Sequence, residues 1–106
     1  MQVSIYQINP DRDTTHLIFS GWSEFQRQGY EQPPAKLYDR VYSYQADGET
    51  PEGVYYRFNM NHPADYKGRS LSMSDVVGFI WDTGERSYFF CDRIGFQPVA
   101  FDAPRE

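Results

Sequence analysis

Residue types able to do chemistry gather in one stretch of this sequence. His62, Ser70, Ser72, Ser74 and Asp75 include a base, hydroxyl nucleophiles and an orienting acid, so a small hydrolase built on His62, Ser72 and Asp75 is one reading to weigh. An activated serine also needs a sharp exposed turn and backbone N–H groups aimed at an oxyanion. Neither a G-x-S-x-G pattern nor a glycine-rich turn surrounds these serines. The competing reading makes Ser70, Ser72, Ser74 and Asp75 a structural turn whose side-chain oxygens accept from nearby backbone N–H groups, with His62 anchoring the loop before it. That reading is preferred, and no residue is assigned as catalytic. A metal site from His62, Asp65, Asp75 and His16 meets a similar objection, because no H-x-x-x-H or H-E-x-x-H spacing supplies two ligands from one element. No metal and no cofactor are expected.

A different chemistry lies just upstream. Arg57, Lys67 and Arg69, with Asn61 and His62 between them, face only Asp65, which makes a mildly basic stretch in an otherwise acidic chain. Guanidinium and ammonium groups recognise carboxylates and phosphates, so these five residues are the candidate binding set; the alternative is a solvated loop neutralised by Asp65 and Asp75. Cys91 follows two phenylalanines and reads as a buried, inert thiol, while Asp92 and Gly95 read as turn residues.

The elements that would position these groups follow from periodicity and punctuation. Gln2 to Ile8 reads as a strand, and Ser20 as the N-cap of a short helix, Gly21 to Gln28, whose Trp22 and Phe25 share one face. Lys36 to Gln45 reads as a strand with an aliphatic face of Leu37 and Val41 and a tyrosine face of Tyr38, Tyr42 and Tyr44. Thr50-Pro51-Glu52 is a strong helix start, and the helix that follows carries Val54, Tyr55 and Phe58 inward and ends before His62. Val76 to Trp81 and Ser87 to Asp92 form a hairpin, and Phe96 to Ala100 adds an edge strand limited by Pro98. The fold class expected is α+β: a small, mainly antiparallel sheet of about four to five strands with two short helices packed on one face. One domain spans residues 1–106, with 101–106 as a frayed tail.

Composition narrows the function classes. A net charge of −5 argues against general affinity for nucleic acid, and the interleaving of acids with bases argues against a carboxylate stripe that mimics DNA. A single cysteine excludes an internal disulfide and fits a reducing compartment. No apolar run reaches the roughly 20 residues that span a bilayer, and the first residues lack the pattern of a signal peptide, so a cytoplasmic protein without membrane contact is expected. Nine tyrosines favour a protein partner of unknown identity, since a ring with a hydroxyl suits a half-buried contact surface. A monomer or weak homodimer is expected.

The series Arg57-Phe58-Asn59, His62-Pro63, Leu71-Ser72-Met73-Ser74-Asp75-Val76-Val77 and Gly95-Phe96, with Ile5-Tyr6-Gln7-Ile8-Asn9 near the start, resembles the YodL-like domain family over nearly the whole chain. That family occurs in Firmicutes, often in proteins linked to integrative and conjugative elements. The resemblance brings no activity, cofactor or catalytic residue with it. It supports the fold, and it leaves a non-enzymatic interaction or regulatory module as the preferred function, with inhibition of host defence or DNA enzymes by a mobile-element product as the alternative. One departure is Gly78-Phe79-Ile80-Trp81, bulkier than the family pattern and a candidate for an altered contact surface.

Overall fold

The structure is a computed structural model that describes residues 1–104. Five strands form one open sheet: β1 (Gln2–Ile8), β2 (Tyr38–Gln45), β3 (Val76–Ile80), β4 (Arg86–Cys91) and β5 (Phe96–Val99), in the order β2-β1-β3-β4-β5. Every neighbouring pair is antiparallel. With helices α1 (Trp22–Arg27) and α2 (Pro51–Met60) and two short 3-10 turns, the fold is α+β.

The two helices lie on opposite faces of the sheet, which corrects the expectation of one covered face. Register shows why. Tyr6, Val76 and Phe90 are aligned across β1, β3 and β4, so their side chains share one face, as do Ile5, Val77 and Phe89 on the other. Phe25 of α1 meets Phe90 edge-on at 4.9 Å, in a core with Ile8, Leu17 and Tyr38. Phe58 of α2 packs instead with Val3, Ile5, Val77 and Phe79. The central strands are apolar on both sides, and each side requires its own cover.

β2 departs from simple alternation. Ile5 pairs with Tyr42 but Tyr6 pairs with Arg40, so Val41 is the extra residue of a bulge. The bulge turns the expected single tyrosine face into two. Tyr42 and Tyr44 pack on Phe58, whereas Tyr38 reaches the α1 side and donates its hydroxyl to the Ser74 carbonyl at 2.6 Å.

Two smaller expectations also change. The N-cap position of α1 is Gly21 rather than Ser20, and the Trp22 N–H donates to the Asp92 carboxylate at 3.1 Å; the Ser20 hydroxyl donates to the His16 carbonyl. Phe101, placed in the expected frayed tail, is buried with its ring edge-on to Tyr6, Tyr38 and Tyr88 at 5.2 to 5.4 Å. The Asp102 N–H also donates to Gln32. Residues 105–106 of that tail lie outside the described residues.

Candidate functional site

The SLSMSD segment folds into a clasp around a fully buried Asp75. One carboxylate oxygen of Asp75 accepts from the Ser72 N–H at 2.9 Å and from Gln7 Nε2 at 3.1 Å. Gln7 bonds the strap that joins α2 to β3 (residues 61–75) twice more, donating to the Arg69 carbonyl and accepting from the Arg69 N–H. Tyr66 donates its hydroxyl to that same carbonyl at 2.6 Å, and Asn59 of α2 donates to the Leu71 carbonyl. Ser74, held at φ +82°, accepts from the Phe19 N–H through its hydroxyl. Ser70 is exposed beside this network. Burial drives the Asp75 carboxyl up to about 7, against the pull of the Ser72 N–H, Gln7 and Arg69. Burial, with the nearby Asp75 and Asp92 charges, drives the Cys91 thiol up to about 12, where little nucleophilic thiolate exists at neutral pH.

His62 stays outside the clasp. It is exposed, with its ring 5.6 Å from Tyr66 and Nδ1 near the Pro63 carbonyl, while the hydrogen bonds of Asp75 go to Gln7 and Ser72. Among the described residues, no three His, Cys, Asp or Glu side chains gather closely enough to hold a metal ion.

The five-residue binding set is also divided. The Arg57 guanidinium lies over the Tyr44 ring at 5.1 Å, whereas that of Arg69 donates to the Ile8 carbonyl at 2.9 Å and stacks 5.7 Å from the Phe19 ring. Tyr44 lies opposite Val3, at the other end of β1 from Ile8, so the two cations attach about 17 Å apart along the strand. Asn61, His62 and Lys67 are exposed, and Asp65 accepts the Tyr42 hydroxyl at 2.7 Å. The structure therefore keeps Arg57, Asn61, His62 and Lys67 at the surface and spends Arg69 on holding the strap.

A groove of about 390 Å³ runs between α2 and the β4–β5 turn. Glu52 and Tyr55 form one wall, Ser72, Met73 and Cys91 the floor, and Arg93 and Phe96 the far wall, with the Tyr55 and Phe96 rings edge-on at 6.3 Å. Asp92 shapes the turn by accepting from the Arg93 and Trp22 N–H groups and from Gln97. Partial burial pushes its carboxyl up, but these donors outweigh that and hold it below the usual range. At the turn tip Ile94 is 91% exposed; on the outer face of α2, Tyr56 and Met60 are 67% and 70% exposed, four residues apart and therefore neighbours. Sequence reading missed this surface. Its signal was there in Val54, Tyr55, Tyr56, Phe58 and Met60, an apolar set too wide for one buried stripe. In the departure segment, Phe79 is buried and Trp81 is exposed, with the rings 5.9 Å apart.

No helix among the described residues is long and apolar enough to cross a membrane. No curated protein and no solved structure matches the chain. A family model does match, over residues 2–101, and the chain thus belongs to the YodL-like domain family.

Proposed function

We propose that this domain is a non-enzymatic protein-interaction module of the cytoplasm, docking a protein partner on the outer face of α2 and the adjoining groove. The observation that carries the reading is the exposure of Tyr56, Met60 and Ile94 around a groove walled by Tyr55 and Phe96. Large apolar side chains grouped on one side, with exposed cations beside them, resemble the aromatic centre and polar rim of a contact surface. Arg57, Asn61 and His62 supply that rim along the end of α2. The high pKa of Cys91 and the surface position of His62, away from the bonds of Asp75, favour binding over hydrolysis.

Affinity capture from a lysate of the source cells, with the wild-type chain and Tyr56→Ser, Ile94→Ser and Arg57→Ala variants as baits, tests the reading. A partner retained by the wild type and lost by the first two variants, whose melting temperatures stay unchanged, is the expected result. Identical recoveries with all baits would reject this surface, and no specific recovery with any would reject the module.

A further inference from the structure

The open sheet has two edges, β2 and β5, and they are finished differently. At the start of β2 the Arg12 guanidinium donates to the carbonyls of Lys36 and Tyr38, and the bulge at Val41 then interrupts the repeat. Both devices blunt an edge against a further strand. β5 is left bare. Its phase follows from the hairpin: the Asp92 N–H donates to the Gly95 carbonyl at 3.0 Å, and pairing continues with Cys91 opposite Phe96, Phe90 opposite Gln97 and Phe89 opposite Pro98. Hydrogen-bonded pairs alternate along an antiparallel ladder, so Gln97 bonds to β4 while Phe96 and Pro98 turn their backbone groups outward. Pro98 suits that phase, because an inward position would require the N–H it lacks. Among the described residues, no turn, loop or side-chain hydrogen bond reaches the backbone of Phe96 or Pro98. The free edge therefore offers the Phe96 N–H and the carbonyls of Phe96 and Pro98.

An extended chain matches these three groups. In an antiparallel partner strand, the residue opposite Phe96 exchanges both bonds with it, and the residue two positions earlier donates its N–H to the Pro98 carbonyl. The proline also disfavours self-pairing. If two copies met through β5 about a two-fold axis at Gln97, each Phe96 carbonyl would face a proline and gain no donor. Side chains opposite each other share a face, so the partner residue facing Phe96 presents its side chain on the α2 side, where the groove lies. Glu52 stands on the helix wall of that groove and Arg93 on the turn wall, so a complementary strand carries a base toward one and an acid toward the other.

We propose that β5 accepts an extended segment of a protein partner as an added strand, bonded to Phe96 and Pro98 and placing an apolar side chain at the groove. The proposal gives the partner of the α2 docking surface its conformation, and it rests on that reading.

Peptides selected from a displayed random dodecapeptide library against the wild-type chain are the probes. Each should slow hydrogen exchange at the Phe96 N–H by roughly tenfold or more. Methylating the peptide's backbone nitrogens one at a time should abolish binding at the two residues that donate to β5 and spare the residue between them. An empty selection, or sensitivity to methylation without that alternation, would overturn the added strand. Peptides that lose affinity with Tyr56→Ser but leave Phe96 exchange unchanged would keep the α2 surface and overturn edge pairing. Peptides that protect Phe96 and ignore both Tyr56→Ser and Ile94→Ser would uphold edge pairing and reject that surface. Wild-type dimers in sedimentation, with Phe96 protected in the absence of peptide, would make a second copy the occupant and overturn the proposal.

Discussion

Asp92 shows how one side chain ties distant segments together. Its Oδ1 accepts from the Trp22 N–H at the start of α1 and from the Arg93 N–H in the β4–β5 turn, and its Oδ2 accepts from Gln97. The carboxylate occupies the space at the helix start: a Cβ on Gly21 would lie 2.9 Å from Asp92 Oδ1, which makes a close approach out of the missing side chain. Asp92→Ala should therefore destabilise the fold by about 1–2 kcal/mol, as loss of a helix cap does, while Asp92→Asn, which retains an acceptor, should cost less. Urea unfolding of both variants checks this, and equal losses would mean that charge rather than the acceptor matters. Asp92 and Gly95 were legible as turn residues from local sequence. The bond to Trp22 was not, because seventy residues separate the partners and Ser20 offers a conventional cap close by.

At the level of elements, the strands and α2 were readable because local chemistry agrees with the fold. Thr50 accepts from the Gly53 N–H, Pro51 opens α2, and the helix ends at Met60, ahead of His62-Pro63. β2 was readable as a strand but not as a bulged one, since the extra residue exists only relative to β1. The last segment was misread for another reason: a single phenylalanine among polar residues and proline has no periodicity to mark it as core. Its ring contacts nevertheless bind β1, β2 and β4 together through Tyr6, Tyr38 and Tyr88. Phe101→Ala should cost about 3 kcal/mol by removing a buried ring from these contacts, against nearly nothing for a residue in a frayed tail. Thermal unfolding distinguishes these outcomes. The division of the basic stretch was illegible on the same grounds, because Arg57 to Arg69 is contiguous in sequence and split in space.

Across the whole molecule, one sheet divides two cores, and Asp75 sits where the α2–β3 strap crosses from one to the other. The run Val76-Val77-Gly78-Phe79 is apolar at successive positions, a pattern that implies cover on both faces and that the one-sided arrangement neglected. The polar clasp among this apolar packing sets the response to pH. Asp39, held low first by its hydrogen bond from Arg12, and Asp92, held low by N–H donors, contribute stability above pH about 4 that is lost as they protonate on acidification. Asp75 acts in the opposite sense: its folded pKa of about 7 lies above the ordinary value, so the folded chain holds a proton that the unfolded chain has released. Its contribution falls as pH rises from about 4 to about 7, by at most about 1.4 kcal/mol per pH unit and on the order of 4 kcal/mol in all. Stability should therefore peak in mildly acidic solution and decline toward neutral pH. In Asp75→Asn the amide can still accept from the Ser72 N–H and has no charge to bury, so the decline should disappear and the variant should exceed the wild type in stability at pH 8. Denaturant midpoints measured from pH 4 to 8 decide the matter: a wild-type curve that is flat or rising over that interval, or an equal decline in Asp75→Asn, would show that the carboxyl is ionised inside the folded clasp.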